Sequence, residues 1–383
     1  MNFILEKEKT ASDVSVGADT KQSILNSSGD SISDFTANCK DTDKIYEEIE
    51  KDFLRRSDPS YLETKTLNQL YEETYIQDPS IVANLLFPGT YIFAGTPKVG
   101  KSFLMAQLAY HISTGLPLWN FPTRQGTVLY FALEDTFGRL QRRMYRMVGE
   151  SGNDKLHFAI SSHKLGKGLE EQLSSFVSKH KDTKLIIIDT MKKIEEGSKD
   201  NSNYGKDYDL ISDVKSIADK NGICIVIVHH TRKQSAEDIF DMISGTNGLF
   251  GAADGSFVMC KEKRGSDRAI LHIVGRDQPD QKIILLRNKE TLGWDMETTE
   301  TENWDEPQEP ILSEISKIIT KENPIWQGSP TELTALLKTS LKPNSLSLKL
   351  NVNAGILLND FNILYENKRS HEGRRITLTY EGK

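Results

Sequence analysis

Cysteine is scarce in this chain. Its three cysteines, Cys39, Cys224 and Cys260, lie far apart in 383 residues and form no C-x-x-C pair. That excludes a disulfide framework and a zinc site of the usual spacing, and it fits a reducing cytoplasm. Long apolar runs are missing too, none approaching the roughly 18 residues of a membrane helix. The start, Met1 to Glu8, turns acidic at once, unlike a secretory signal. No internal repeat is visible. A positive surplus is also lacking, the net charge being −7, which argues against a basic nucleic-acid protein until the charge is located. Residues 289–309 hold eight acidic side chains and one lysine, which accounts for all of it. Beyond them, residues 311–383 hold ten Lys and Arg against seven Asp and Glu, a basic surplus of three.

What is present is decisive. Gly95-Thr96-Pro97-Lys98-Val99-Gly100-Lys101-Ser102 completes the pattern G-x-x-x-x-G-K-[ST]. Glycines at both ends let the backbone amides curl around a polyphosphate, Lys101 reaches the β- and γ-phosphates, and the Ser102 hydroxyl ligates magnesium. The apolar run Tyr91–Ala94 before it reads as a buried strand. Phe103, Leu104, Leu108 and Ile112 after it recur at helical spacing. Strand, loop and helix are the setting in which a helix N-terminus meets an anion. Gly95 to Phe103 are therefore the expected ATP-binding residues, with Mg2+ beside them.

Leu185-Ile186-Ile187-Ile188-Asp189 reads as a buried strand delivering a carboxylate to its end, which suits a magnesium ligand acting through a bound water. Thr190 follows, so the acid that polarises the attacking water must lie elsewhere. The strand Val128–Leu133 ends in Glu134-Asp135, and Glu134 is the general-base candidate. Either acid could instead cap the helix that starts near Thr136, Asp135 being the more natural cap. Ile225–Val228 delivers His229 and His230, one of which would sit by the γ-phosphate.

The expected class is α/β. Strands are read at Tyr91–Gly95, Thr127–Leu133, His157–Ile160, Lys184–Asp189 and Ile223–His229. An antiparallel extension follows at Gly255–Cys260, Ala269–Val274 and Lys282–Leu286. The domain reading is a disordered tail (1–42), a helical segment (43–80, with helices at Asp43–Arg56 and Tyr61–Tyr75), an ATPase domain (81–288), an acidic linker (289–310) and a small α+β domain (311–383). In the last, helices are read at Ile311–Ile319, Pro330–Leu337 and Pro343–Leu358. Ser329 and Glu332 form a capping box on the second. Two strands then flank the basic turn Lys368–Arg374.

The phosphate loop, Ala132–Asp135, Leu185–Asp189 and Val228–His230, in this order, resemble the RecA-like ATPases of the plasmid RepA type. These are ring-forming replicative DNA helicases of plasmids, phages and other mobile elements. Ser244–Asp254 and Gly275-Arg276-Asp277 are similar to that family's later segments, so the resemblance covers about residues 81–286. It implies a homo-oligomeric ring with ATP at each interface and single-stranded DNA in the channel. It gives Glu134, Asp189 and His229 or His230 the roles above. It also asks for an arginine from the next subunit, with Arg276 first and Arg264 second. Loops around Lys192, Lys193, Lys199 and Lys206, and around Arg232 and Lys233, would face the DNA.

The last domain resembles a winged helix, which implies DNA contacts from Asn344, Ser345, Ser347, Lys349, Lys368, Arg369, Arg374 and Arg375, or else a protein contact. The sequence thus supports an ATP-driven DNA motor or, with the same motifs, an ATP-switched DNA-binding or recombination-mediator protein. A small-molecule kinase is disfavoured, because Asp189, the histidines and the wing have no role in one.

Overall fold

In the computed structural model, the described residues are 51, 55, 58–76, 78–195, 204–231, 238–243, 247–263, 265–276, 278–301, 309–370 and 373–382. The chain divides into two compact units, Met1–Leu70 and Tyr71–Lys383. In the first, Asp58 accepts hydrogen bonds from the backbone and hydroxyl of Ser60. The expected tail and the helix over 43–56 lie almost wholly outside the described residues. The helix read over Tyr61–Tyr75 is only α1 (Leu67–Glu72), and none of its residues is buried. A helix that buries none of its apolar side chains is not sustained over a long run.

The second unit contains a nine-stranded sheet in the order β3-β2-β4-β5-β1-β6-β7-β8-β9. Its strands are β1 (Gly89–Gly95), β2 (Thr127–Ala132), β3 (Leu156–Ala159), β4 (Thr183–Asp189), β5 (Cys224–His230), β6 (Gly255–Lys261), β7 (Arg268–Gly275), β8 (Gln281–Arg287) and β9 (Trp294–Thr301). The first six in that order run parallel. The α/β class expected from the sequence is therefore what the protein has. Helices α2 (Lys101–Thr114) and α3 (Phe137–Val148) cover one face. The other is covered by α4 (Leu169–Lys179), α5 (Tyr204–Asn221) and α6 (Asn247–Ala252). Strands buried on both faces need apolar side chains at every position, which is why β1, β2 and β5 read as unbroken runs. Alternation splits them, Tyr91 and Phe93 facing α2 while Ile92 and Ala94 face α5 and α6.

Two readings need correction here. First, β6 pairs parallel with β1, so the antiparallel extension starts at β7. Second, the acidic run is not all linker. Residues 294–301 form β9, antiparallel to β8. Trp294, 1% exposed, is among the largest fully buried side chains, and Met296 packs on the same core. The acids of this strand point outward, as on the solvated face of an edge strand.

The C-terminal part runs α7 (Pro310–Ile318), β10 (Ile325–Gly328), α8 (Pro330–Leu336), α9 (Pro343–Val352), α10 (Ala354–Phe361), β11 (Ile363–Ser370) and β12 (Gly373–Tyr380). It has its own core of Ile311, Ile315, Leu333, Leu346, Leu350, Leu357, Ile363 and Leu378. The capping box of Ser329 and Glu332 is present on α8. The sheet gains a third strand, in the order β10-β12-β11. The helix read as continuous over Pro343–Leu358 breaks at Asn353, which caps a new helix from a non-helical conformation (φ −102°, ψ 17°). No helix among the described residues is long and apolar enough to cross a membrane.

Candidate active site

Parallel strands deliver their C-terminal residues to one edge of the sheet. The register sets Gly95 beside His230 and Asp189 beside Ala132, two residues before Glu134. The phosphate loop leaves β1 there and enters α2 through Gly100, whose φ of 111° only glycine adopts without strain. A Cβ on Gly100 would stand 2.8 Å from the Trp294 ring, and one on Gly95 would stand 2.5 Å from the Met259 carbonyl. Both glycines are thus fixed by the packing behind the loop as well as by the loop's own curl.

Lys101 is buried, at 7% exposure. Its Nζ donates to the carbonyls of Gly95 at 2.6 Å and Thr96 at 3.2 Å, and it lies 3.2 Å from His230 Nδ1. Burial brings its pKa down to about 8, while the charges of Asp189 and Glu134 pull the other way. Burial and the Lys101 charge keep the His230 pKa low. The imidazole is therefore neutral at pH 7, and Nδ1 accepts from the ammonium. Of the two histidines left open by the sequence, His230 is the one that meets the loop lysine. His229 precedes it on β5, where alternation turns it to the other face.

Asp189 ends β4. Burial raises its pKa, and hydrogen bonds from Ser102 and Tyr130 oppose that rise. The Tyr130 hydroxyl donates to Asp189 Oδ2 at 2.9 Å. Ser102 and Asp189 are hard oxygen donors joined to each other beside the loop lysine. This is a donor set that suits Mg2+, with Ser102 direct and Asp189 through water. Tyr130 was not singled out from the sequence. Its signal is a phenol inside the apolar run Val128–Phe131, because a buried hydroxyl must find a partner.

Glu134 is exposed just past β2, and its carbonyl accepts from Arg139 Nη2 at 2.8 Å. Asp135 is held by Arg139 at 2.8 Å and Arg143 at 2.6 Å. The cap of α3 is neither acid but Thr136, which accepts from the Arg139 amide at 3.3 Å. Asp135 is thus an anchor for α3, and Glu134 is the acid at the loop edge.

Arg276 is exposed at the opposite edge of the sheet. It follows β7, whose Gly275 pairs with Gly255 at the start of β6, and it lies 3.4 Å from Asp254 Oδ1. It is therefore not part of the same subunit's phosphate site. Arg232, Lys233, Lys199 and Arg264 lie outside the described residues. Lys192 and Lys193 are exposed in the turn after β4.

In the C-terminal part, several expected DNA contacts already hold partners. Lys349 pairs with Glu309, Lys368 with Glu366 at 3.1 Å and Arg374 with Glu72 at 3.4 Å. Arg375 donates to Gln327 Oε1 at 3.1 Å. Arg369, Asn344 and Ser345 are exposed, but Ser347 is fully buried and cannot reach a ligand outside the module. The inner face of α9 also carries Asn351, which donates to the carbonyls of Tyr71 and Glu72 and accepts from Tyr365 and Asn367.

Residues 68–236 match the model of a protein family described as AAA domain. No curated protein matches the chain. Among solved structures it is similar to an ATPase domain (12% identity, TM-score 0.47), the match covering 68% of this chain and 98% of that one. It is also similar to a DnaB-like replicative helicase (12%, 0.47; 72% and 75%). A third is the RadB recombinase (13%, 0.41; 55% and 92%). With the loop and strand ends described above, the match over residues 68–236 supports a P-loop ATPase domain.

Proposed function

We propose that this chain is an ATP-hydrolysing motor on DNA, a ring-forming replicative helicase of the plasmid RepA type from a mobile element. The observation that carries the reading is the convergence of Lys101, the Ser102–Asp189 pair, His230 and Glu134 at one sheet edge. The N-terminal amides of α2 and Lys101 hold the phosphates. Ser102, and Asp189 through water, would hold Mg2+, whose charge offsets that building on the phosphates. Glu134 takes the proton of the attacking water. His230 senses the γ-phosphate through Lys101, because a lysine drawn to phosphate leaves Nδ1.

Arg276, exposed and held at 3.4 Å by both Asp254 and the Gly251 carbonyl, completes the site of a neighbouring subunit. The turn after β4, with Lys192 and Lys193, and the residues that follow β5 in sequence, Arg232 and Lys233 among them, grip single-stranded DNA in the channel. Residues 81–301 form the motor and 311–383 a winged-helix module, a reading supported by its order of helix, strand, three helices and two strands, in which the break at Asn353 adds one helix to the expected set. The protein would work in the cytoplasm.

Strand displacement on a forked duplex with ATP tests the motor. ATP turnover without displacement would favour the alternative, an ATP-switched DNA-binding or recombination-mediator protein.

For the module a second reading has support. Three of its expected contacts are already paired with carboxylates, and the outer side of α9 exposes Leu348 and Val352. Both features suit a protein surface better than a groove-reading helix. Removing residues 311–383 decides between them. Loss of duplex affinity and of its salt dependence supports DNA binding, and no change supports a protein partner.

A further inference from the structure

Arg287 closes β8 and faces Trp294 across the ladder. Its guanidinium carbon lies 4.1 Å from the centroid of the Phe103 ring and 4.9 Å from that of Trp294. Phe103 is in the first turn of α2, next to Ser102. Arg287 Nη1 stands 3.1 Å from where a Cβ on Gly100 would be. The group is therefore fixed against Gly100 of the phosphate loop, beside the first turn of its helix.

What it lacks is an anion. Among the described residues Arg287 has no carboxylate partner, and its buried Nη1 has no hydrogen-bond acceptor. Arg143, 5.0 Å over the same Phe103 ring, has a second buried Nη1 without a partner. Its other terminal nitrogen is on Asp135, which Arg139 shares. Arg146 adds a third guanidinium, bound among the described residues to the carbonyls of Lys289 and Glu290. Burial and the charges of Arg143 and Arg146 bring the Arg287 pKa down to about 10, so it stays a cation at neutral pH. A half-buried cation without a counter-ion, repelled by its neighbours, is a cost to the folded chain. Arg287 and Arg143 stack on aromatic rings, which steadies them but does not neutralise them. The helix N-terminus beside them adds positive potential.

We propose that Arg287 is a phosphate ligand of the same subunit, its Nη1 completing the cradle for the polyphosphate of the nucleotide while Phe103 and Trp294 hold the guanidinium flat. This rests on the nucleotide-binding reading of the loop. It differs from the role given to Arg276, since the charge is present in every subunit without assembly. Planar, always-charged arginine suits a fixed phosphate contact better than lysine. The Phe103 ring, lying under the guanidinium, serves as its support and is not open for a base.

The test titrates the full chain and its Arg287→Gln, Arg287→Lys and Lys101→Ala variants with ADP, inorganic tripolyphosphate and adenosine. Each is done at two salt concentrations, with the melting temperature of the ligand-free chain measured alongside. Arg287→Gln is expected to weaken ADP and tripolyphosphate alike by about tenfold or more, as for a lost charge-assisted contact. It should leave adenosine unaffected and not lower the melting temperature. Arg287→Lys should recover part of the affinity. Unchanged tripolyphosphate affinity in Arg287→Gln overturns the proposal, the more clearly if melting falls, since Arg287 would then be a stacking residue of the core. A loss confined to ADP and adenosine also overturns it, in favour of a base contact. If Lys101→Ala too binds tripolyphosphate like the parent chain, the reading of the loop itself fails.

Discussion

Replacing Trp294 with alanine separates the fold described here from the linker that composition suggests. The side chain is 1% exposed and packs on Gly100 of the phosphate loop. A buried tryptophan removes roughly 150–250 Å2 from water. At about 25 cal/mol per Å2 that is some 4–6 kcal/mol, an upper bound given the partial collapse of unfolded chains. Truncations of this kind cost about 3–5 kcal/mol when measured. The indole N–H adds little, since its contact with the Gly100 carbonyl is long at 3.4 Å. Backbone bonds of residue 294 to Gln107 and Trp119 survive the change. A loss of about 3–5 kcal/mol is therefore expected, or a melting temperature lower by about 6–20 °C for a domain of this size. Nucleotide affinity should fall with it, because the support behind Gly100 is gone. The comparison is Glu297→Ala, an exposed acid on the same strand paired with Arg268 at 2.5 Å, expected to cost under about 1 kcal/mol. Urea and thermal melts of both variants read the difference. Equal stability of the two, or a Trp294→Ala effect below about 1 kcal/mol, would refute the placement of β9 in the core.

Three other outcomes are expected. Tyr130→Phe keeps the ring and removes the hydroxyl that fixes Asp189, so the Mg2+ concentration for half-maximal nucleotide binding should rise about tenfold, while metal-free ADP binding stays unchanged; equal loss with and without Mg2+ would make Tyr130 a packing residue. Lys101 binds its proton less tightly in the folded chain, so its burial cost is present in full below about pH 8 and is relieved as pH rises from there toward the unfolded lysine value. Phosphates should restore that proton, and calorimetry in two buffers at pH 8.5 should show uptake on ADP binding that fades toward pH 6.5; no uptake at pH 8.5 would contradict the contact. Mixing Arg276→Ala with Lys101→Ala subunits should recover part of the ATPase activity, since one interface type then holds both groups, and silence in the mixture would remove Arg276 as the shared arginine.

The phosphate loop and strand ends were legible because their signals are local: glycine at fixed offsets, and apolar runs ending in Asp189, Glu134 and His230. Strand direction is not local. The sequence of β6 reads alike whether β6 runs with β1 or against it, and only pairing decides. Trp294 was hidden by averaging, since eight acids across residues 289–309 outweigh a four-residue alternation of Trp294 and Met296 with Asp295 and Glu297. In the C-terminal module the basic surplus was counted correctly, but a count cannot see that Glu309, Glu366 and Glu72 already neutralise Lys349, Lys368 and Arg374. The break at Asn353 was likewise invisible, because α9 and α10 carry one continuous apolar pattern. Tyr130 and Arg287 acquire meaning only from Asp189 and Phe103, which are brought to them by the fold.

The central claim is that the loop from Gly95 to Ser102 binds ATP for hydrolysis, and ATP turnover by the purified full chain beside Lys101→Ala tests it most directly. With Mg2+ present, the parent chain should hydrolyse ATP. The variant, folded with an equal or higher melting temperature because a buried cation is gone, should show no turnover. Wild-type-like hydrolysis by Lys101→Ala, or a parent chain that neither binds nor hydrolyses ATP, would contradict the account.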